Sequence, residues 1–419
     1  MAALLFISFF ILLLIGVPVA IALGISSMVA LITQDMPLVI IAQRMFAGTD
    51  SFPLVAVPFF ILSGDLLAKG KVSEKLVDFA DSLFGFFKGG LSIVSVLAGM
   101  FFAAISGSGA ATTAAVGTTL VPELKKKGYD EASSAALIAA SGTIGVVIPP
   151  SVPMILYSVI SDQSVSRLFL NGFIPGTMMG VMLIGIAIKQ AYDRNYPTGA
   201  KFSLKNILIT FKSAIWGLLT PIIILGGIFS GYFTPSEAAV IAVNYALIVS
   251  LFVYRDMKLK DVFNIICKSA MTMSVVMFII ATSSILSWIL ANWNIPTAIA
   301  NGVLMLSSNK YIIMFLITGI ILITGVFMET ASALIILTPV FLPLINQLGI
   351  NLIHFGIVMV MGLAIGMVTP PVAINLYVAS TITGLSIEKI TKAILPYLFG
   401  LIIILLLILY LPLIIPIIL

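Results

Sequence analysis

Apolar runs long enough to cross a bilayer recur along almost the whole of this 419-residue sequence. A hydrocarbon core about 30 Å thick needs roughly 20 apolar residues per helical crossing, and spanning segments must satisfy their own backbone hydrogen bonds. Of all residues, 61% are hydrophobic and only 9% are charged, which leaves no stretch for a soluble domain. The sequence therefore predicts one all-α, polytopic membrane domain.

The first 33 residues form an apolar stretch without a basic segment or a small-residue cleavage signal. We interpret this stretch as a mature first span, longer than one crossing, rather than as a removable signal peptide. The step Gly16-Val17-Pro18 predicts a kink within it.

Several functions are disfavoured by what the chain lacks. A single cysteine, Cys267, leaves no internal disulfide, and a single histidine, His354, leaves no multi-histidine metal site and disfavours catalytic constellations of His, Cys and Asp. There is no P-loop pattern either, so we expect neither enzymatic activity nor ATP coupling in this chain. We expect His354 to lie in a loop. Positive-inside bias explains the net charge of +5, so no nucleic-acid partner is expected.

The basic residues divide the loops into two sides. Eighteen of the 21 fall in five segments, which we place in the cytoplasm. These segments are Lys69 to Lys88, Lys125 to Lys127, Lys189 to Lys212, Arg255 to Lys268, and Lys389 with Lys392. The other three residues, Arg44, Arg167 and Lys310, then lie outside.

This topology requires two apolar stretches to enter the membrane and return to the side from which they came. Residues 91–122 lie between two cytoplasmic segments and contain a helix-breaking Ser-Gly-Ser-Gly run. Residues 310–343 must enter and leave from the outside. We therefore predict two re-entrant helical hairpins of opposite orientation, each preceded by an interfacial helix, at 72–88 and 296–309.

Sliding the chain over itself without a gap, so that Pro122 meets Pro343, reveals an internal repeat. Seven identities fall within 29 positions, and most of them are Gly or Pro. Because the charges give the two copies opposite orientations, we predict an inverted repeat. Beyond the paired prolines the second copy is one residue shorter before a shared Leu-Tyr pair, Leu156-Tyr157 and Leu376-Tyr377.

Each copy carries a Pro-Pro pair inside an apolar span, at Pro149-Pro150 and Pro370-Pro371. Adjacent prolines remove two amide donors, so the helix must unwind, and its freed carbonyls must face protein or a polar cavity. Carbonyl oxygens near these breaks, with hydroxyls at the hairpin tips, would suit Na⁺. Broken helices at matching places in two inverted halves predict a midplane substrate and ion site, with half-helix N-termini facing an anionic group.

Charged side chains near the spans need separate interpretations. Glu329, beside the second tip, is either a functional ionisable group or a hydrogen-bond partner of the hairpin. For Asp65 and Glu237 we predict interfacial anchoring and helix capping. All basic residues are expected in loops. Half-helix dipoles and bound Na⁺ would therefore balance the charge of an anionic substrate.

These tips and breaks resemble those of a known family, the large membrane subunit (M, DctM-like) of TRAP (tripartite ATP-independent periplasmic) transporters, in the ion-transporter superfamily. Four segments carry the resemblance, at residues 106–112, 142–151, 325–339 and 366–372. The resemblance implies a scaffold and an elevator-like transport domain. The expected boundaries are 1–90 for scaffold helices and the first arm, 91–167 for transport half one, 168–309 for linking and scaffold helices with the second arm, 310–392 for transport half two, and 393–419 for a C-terminal span.

The resemblance also implies a function and partners in the bacterial inner membrane. The function is Na⁺-coupled uptake of an organic acid, either sialic acid or a four-carbon dicarboxylate, delivered by a periplasmic substrate-binding protein (P type). A small four-helix membrane subunit (Q type) is expected as a partner. Because this chain starts at the large subunit's first span, that subunit would be either separate or cut away. Two or more Na⁺ ions and no organic cofactor are expected.

Residue by residue, the resemblance implies two Na⁺ sites and a substrate site. The first Na⁺ would be bound by Ser106, Ser108, Gly145, Ile148 and Pro149. The second would be bound by Gly325, Met328, Gly366 and Thr369. The substrate would lie near Pro150, Ser151, Thr330 and Asn375. A stand-alone Na⁺/dicarboxylate symporter of the same superfamily and a channel remain as alternatives.

Overall fold

The computed structural model describes residues 2–199, 201–306 and 309–414. Within these ranges the chain is helical, apart from connecting turns and one β-bridge between Lys88 and Thr198. Eight of the described helices are long and apolar enough to cross a membrane. The prediction of an all-α, polytopic membrane protein is confirmed.

The helices are numbered in chain order through the described part of the chain. The first group comprises α1 (Ala2–Leu14), α2 (Val19–Ile32), α3 (Val39–Thr49), α4 (Ala56–Lys69), α5 (Val72–Phe84), α6 (Gly90–Ser106), α7 (Gly109–Lys126), α8 (Glu131–Thr143) and α9 (Val152–Ser161). The second comprises α10 (Val165–Asp193), α11 (Leu204–Phe229), α12 (Pro235–Ile248), α13 (Leu259–Asn292) and α14 (Ile295–Leu306). The last comprises α15 (Lys310–Phe327), α16 (Thr330–Gln347), α17 (Leu352–Gly366), α18 (Ile374–Thr383) and α19 (Ile387–Ile414).

The N-terminal apolar stretch forms two helices. α1 ends at Leu14, and α2 begins after Pro18, whose ring replaces an amide donor. Gly16 between them has φ +86°, in the left-handed region that ends a right-handed helix. The predicted kink is therefore a complete break.

Helix boundaries reproduce the internal repeat. In the ungapped alignment of the two copies, both ends of α7 coincide with those of α16, and the start of α8 coincides with that of α17. Gly128 and Gly349 follow α7 and α16 in matching left-handed conformations, with φ +80° and +64°. Asp130 and Asn351 occupy matching N-caps of α8 and α17, where each side chain accepts a backbone hydrogen bond. The repeat is therefore structural as well as sequential.

The match shifts beyond the prolines. Both ends of α18 lie one position later than the ungapped alignment with α9 places them, and each helix is followed by a left-handed residue, Asp162 or Gly384. The helices are thus offset by one residue in the direction opposite to the shared Leu-Tyr pair, so Leu156-Tyr157 and Leu376-Tyr377 occupy different positions within α9 and α18. The offset is accommodated by Ala373, with φ +46°, which turns the chain into α18.

The core lies around α8 and α17, the first halves of the two broken helices. Residues 133–143 and 353–366 are buried without exception. His354 was predicted in a loop, and that prediction was wrong. It lies in the first turn of α17, because Asn351 already caps the helix, and its Nε2 hydrogen-bonds the Ile408 carbonyl of α19 at 2.9 Å.

Two groups of helices meet beside this core. The hairpin group contains α6 to α9 and α15 to α18, with α10 packed on α6 and α19 on α8. The scaffold group contains α4 packed on α12, α11 on the arm helix α5, and α13 on α2 and α3. The predicted interfacial helices correspond to α5 and α14, although residues 307 and 308 of the second lie outside the described residues. The groups touch where α4 contacts α6 and where α13 contacts α16.

Candidate functional site

The tip of hairpin one is a single left-handed turn between α6 and α7. Gly107 has φ +61°, and a Cβ placed there would lie 2.8 Å from the Pro150 carbonyl oxygen. Glycine is therefore required both by conformation and by the close approach of the broken helix. Ser108 then caps α7 by accepting a hydrogen bond from the Ala111 amide.

Oxygen atoms gather where this tip meets the first break. The hydroxyls of Ser106 and Thr112 lie 2.8 Å apart, and Thr112 Oγ1 donates to the Ser108 carbonyl at 2.8 Å. A Cβ on Gly145 would lie 2.5 Å from Thr112 Oγ1 and 2.6 Å from the Ser108 oxygen. The structure thus brings together Ser106, Ser108 and Gly145, and adds Thr112, which ends the segment 106–112 but was not among the predicted ligands.

The first broken helix unwinds between α8 and α9. Its last helical bonds run from the Val147 and Ile148 amides to the Ile144 carbonyl, and Pro149 follows. Among the hydrogen bonds of the described residues, none is accepted by the Ile148 or Pro149 carbonyl. Ser151 closes the break, because its hydroxyl donates to the Val146 carbonyl at 2.6 Å.

The second break contacts hairpin two directly through glycine. A Cβ on Gly366 would lie 2.3 Å from the carbonyl carbon of Gly325, so the two backbones touch. Thr369 Oγ1 donates to the Ile365 carbonyl at 2.8 Å and keeps its lone pairs for another partner. Met328 ends α15 in extended conformation. Gly325 and Gly366, predicted for the second ion site, are therefore adjacent.

The tip of hairpin two carries an acid where the tip of hairpin one carries a hydroxyl. Glu329 is the N-cap of α16, and its Oε2 accepts hydrogen bonds from the amides of Ala331 and Ser332 at 2.9 and 3.2 Å. It occupies the position equivalent to Ser108 in the repeat. The neighbouring Thr330 Oγ1 is buried and has no hydrogen-bond partner within the described structure. The structural reading of Glu329 as a hydrogen-bond partner of the hairpin is therefore observed, and its exposed side chain also faces the cavity described next.

A cavity of about 980 Å³ lies between the hairpin group and the scaffold. Both tips line it, through residues 106–111 of hairpin one and Glu329, Ala331 and Ser332 of hairpin two. α7 contributes a wall of small residues ending at Thr118. The opposite wall consists of residues from α4 and α13. Both hairpins therefore converge on one space, although their tips lie far apart in the sequence.

The four predicted substrate residues lie directly behind this wall. Ser151 and Asn375 are completely buried, and Thr330 is almost so. The cavity is instead lined by their chain neighbours, which are Val152, Pro153, Ala331 and Ile374. A direct substrate contact by Pro150, Ser151, Thr330 or Asn375 stays a prediction.

The two halves are joined by hydrogen bonds that cross between the broken helices. Tyr157 Oη of α9 donates to the Leu352 carbonyl at the start of α17 at 2.6 Å. Asn375 Nδ2 of α18 donates to the Ala139 carbonyl of α8 at 3.2 Å. Each second half-helix is thus attached to the first half-helix of the other copy.

Charged residues of the scaffold were missed as components of the site. Lys69, in the last turn of α4, and Lys268, inside α13, both line the cavity. The expectation that every basic residue lies in a loop was therefore wrong. Asp65, predicted as an anchor or cap, lies within α4, lines the same cavity and accepts a hydrogen bond from Ser269 Oγ at 2.7 Å. Helical spacing was an available signal, since Asp65 and Lys69 are four residues apart.

Helix capping by the other predicted acid is observed. Glu237 Oε2 accepts hydrogen bonds from the Thr234 amide and hydroxyl, both at 2.8 Å. The Thr234 hydroxyl in turn accepts from the Glu237 amide, which completes a capping box at the start of α12.

The donor atoms at both tips fit a hard monovalent cation. Apart from the Glu329 carboxylate they are hydroxyl and carbonyl oxygens, and within the described residues no group of three or more His, Cys, Asp or Glu side chains could hold a metal. Such oxygen sets suit Na⁺ better than a transition metal.

Two hairpins and two unwound helices that meet at one cavity within a helical membrane protein define the fold of a membrane transporter. The family model of the tripartite ATP-independent periplasmic transporter, DctM component, matches residues 6–414. The chain therefore belongs to the DctM family, the large permease components of TRAP transporters, and is a multi-pass protein of the bacterial inner membrane.

Three relatives of this chain are permeases of TRAP transporters. The isethionate TRAP transporter permease DctMQ of Oleidesulfovibrio alaskensis is 38% identical over 96% of this chain, which spans only 63% of that protein. The C4-dicarboxylate large permease DctM of Pseudomonas aeruginosa is 40% identical, covering 89% of this chain and 87% of that one. The 2,3-diketo-L-gulonate large permease YiaN of Escherichia coli is 38% identical, covering 91% and 90%.

Solved structures share the fold at low sequence identity. The YdaH transporter of Alcanivorax borkumensis superposes with a TM-score of 0.65 at 16% identity, covering 90% of this chain and 88% of that one. The MtrF structure from Neisseria gonorrhoeae gives a TM-score of 0.55 at 15% identity, covering 89% and 83%. These likenesses support the architecture only.

Proposed function

We propose that this chain is the permease of a Na⁺-coupled transporter that takes up a small organic anion by alternating access. The observation that carries the proposal is the convergence of both hairpin tips and both breaks, rich in neutral oxygens, on one cavity. Half-helix N-termini at the same place favour an anion. An anion inside a membrane must be stabilised by positive charge. In this scheme the half-helix dipoles and the bound Na⁺ together supply it.

The chain's own residues have three tasks in this scheme. Ser106, Ser108 and Thr112 hold oxygens around the first ion position, with Gly145 leaving room for them. At the second break, the contact between Gly325 and Gly366 brings backbone oxygens to the second ion position. Because two hydrogen bonds cross between the halves, the hairpin group is suited to move as one body against the scaffold, which is an elevator-type movement.

The substrate is best described as a small acid. The relatives named above carry isethionate, C4-dicarboxylate and 2,3-diketo-L-gulonate in their names, and all three are organic anions of a few carbon atoms. A four-carbon dicarboxylate is therefore the first substrate to test, and sialic acid the second.

The family name implies two partners for this chain. A tripartite system contains a small membrane subunit and a periplasmic binding protein besides the large permease. The exposed apolar surface of the scaffold would be shared between lipid and the small subunit. We propose that substrate reaches the cavity only from the binding protein.

The test is uptake of labelled succinate, and then of sialic acid, into proteoliposomes that contain this chain with its small subunit. Uptake is measured with and without an inward Na⁺ gradient and with and without the cognate binding protein. Uptake that needs both Na⁺ and the binding protein would support the proposal. Equal uptake with and without the Na⁺ gradient would refute the proposed cation sites.

The alternative function is a stand-alone Na⁺/dicarboxylate symporter, because the chemistry of the cavity does not itself require a binding protein. Full uptake of free substrate by the chain without its partners would favour this alternative. Single-channel currents in planar bilayers would instead indicate a channel.

A further inference from the structure

Two lysines of the scaffold face the same cavity as the hairpin tips. Lys69 is the last residue of α4, and Lys268 lies in the first third of α13. Among the ion pairs within the described residues, neither lysine takes part. Two ammonium groups outside these ion pairs, on one cavity wall, attract anions.

Position along the helices separates these lysines from the tips. α4 touches hairpin one at Gly64, where a Cβ would lie 3.0 Å from the Cα of Ser106. Lys69 is five residues further along α4, which is about 7.5 Å at 1.5 Å per residue. A lysine side chain can span most of this interval, and Lys69 lines the same cavity as the tip.

The wall around Lys268 is polar at its own end of the cavity. Asn264 and Thr272 line the cavity one turn before and one turn after it on the same face of α13. Further along, the wall becomes apolar at Val275, Val276 and Ile279. Polar groups on α13 are therefore concentrated toward the helix start, which the basic residues predict to be cytoplasmic.

Two acids, Asp65 and Glu329, line the same cavity, but neither carboxylate forms an ion pair with Lys69 or Lys268 within the described residues. Glu329 is committed to the amides that begin α16, and Asp65 accepts a hydrogen bond from Ser269. Opposite the lysines, α7 presents small side chains from Ala110 to Thr118, which leave space for a solute.

We propose that Lys69 and Lys268 form a second anion subsite, which receives the acid group of the substrate as it moves from the hairpin tips toward the cytoplasm. The proposal rests on the proposed function in that it takes the substrate to be an organic anion. The subsite recognises a carboxylate or a sulfonate, because both present the charged oxygens that ammonium groups bind.

A test of the local charge does not depend on knowing the substrate. In a Cys267→Ser background, Thr118→Cys places one thiol in the cavity. Its reaction rate is measured with negatively charged methanethiosulfonate ethylsulfonate and with the positively charged trimethylammonium ethyl reagent. We expect the ratio of anionic to cationic rates to fall about 5- to 10-fold when both lysines become glutamine. Arginine at both positions should keep the ratio, and so should the matched control Lys260→Gln, an exposed lysine of α13 that does not line the cavity.

A second measurement follows succinate binding to the complete permease with its small subunit at saturating Na⁺. Each glutamine variant should raise Kd about threefold or more, while the Na⁺ concentration for half-saturation stays unchanged. An unchanged rate ratio in the double variant would overturn the subsite whether or not transport is Na⁺-driven. Normal succinate affinity in that variant would also overturn it, and the proposed function would stand. If uptake by the wild-type protein does not depend on Na⁺, the proposed function is refuted instead.

Discussion

At the scale of single residues, equivalent positions of the two copies use different chemistry for the same structural task. Ser108 and Glu329 both cap the second helix of a hairpin, one with a neutral hydroxyl and the other with a carboxylate. A cap offsets unpaired amides at a helix start, and an anion there also interacts favourably with the helix dipole. The two tips are thus alike in backbone and unlike in charge.

The first prediction concerns the cap of hairpin two. Glu329→Ala removes the acceptor for two amides and should lower the free energy of unfolding by about 1 kcal/mol. Glu329→Gln keeps an acceptor oxygen and should lose less. Thermal unfolding of the purified protein in detergent measures both. If Ala and Gln are equally stable, the cap does not hold the hairpin; if Gln keeps its stability but loses Na⁺-driven uptake, the carboxylate has a separate functional role.

The second prediction concerns the contact between Gly325 and Gly366. Gly366→Ala places a methyl group 2.3 Å from backbone, which must separate hairpin two from the second break. We expect Na⁺-driven uptake to fall more than about tenfold, because a displacement of an ångström at a binding site can cost that much. Gly319→Ala on α15 is the matched control, since no atom lies within 4 Å of its added methyl group. Equal uptake by the two variants would contradict the prediction.

At the scale of helices, the broken helices depend on each other rather than only on their own hairpins. Tyr157 and Asn375 each tie a second half-helix to the opposite copy, and α8 and α17 are buried on almost every side. We expect this exchange to favour movement of the hairpin group as one body. These ties between the copies would also hold the two breaks at a fixed spacing.

A matched pair of tyrosines tests the role of these ties. Tyr157→Phe removes a hydroxyl bond to the Leu352 carbonyl, and Tyr245→Phe removes a similar bond to the Trp216 carbonyl within the scaffold. Each should cost about 1 kcal/mol of stability. Only Tyr157→Phe should weaken Na⁺-dependence of uptake, because only it joins the two copies. A comparable loss of Na⁺-dependence in Tyr245→Phe would show that general destabilisation is the cause.

At the scale of the whole molecule, the scaffold and the hairpin group meet at tip one through a glycine. Gly64 of α4 rests against the backbone of Ser106 at tip one. A glycine here lets the two helices approach each other closely. Movement of the hairpin group would pass this point in each cycle.

Gly64→Val tests this contact. The branched side chain cannot fit against the Ser106 backbone, so we expect uptake to fall about tenfold or more while the protein still reaches the membrane. Gly226→Val on α11 is the control, because open space surrounds that glycine. Succinate affinity in Gly64→Val should change much less than the rate of uptake. If affinity falls as much as the rate of uptake, the substitution acts on the binding site rather than on movement of the hairpin group.

Much of this architecture could be predicted from the sequence, because it depends on the chemistry of neighbouring residues. Apolar length determined that the chain lies in a membrane, and Pro-Pro and Gly at matching distances determined where helices end and how the copies correspond. Each of these signals acts within a few residues, because proline and glycine change the backbone at their own position. The oxygen-rich tips and breaks were found for the same reason.

Tertiary structure alone decided which side chains face the cavity. Ser151 and Asn375 carry suitable polar groups and yet are buried behind their neighbours, whereas Lys69 and Lys268 look like loop charges and line the cavity. The same holds for His354, which is buried in α17, and for the one-residue offset at Ala373. The direction in which a side chain points from its helix, and the distance between helices, depend on the packing of segments far apart in the chain. No local pattern of residues specifies them.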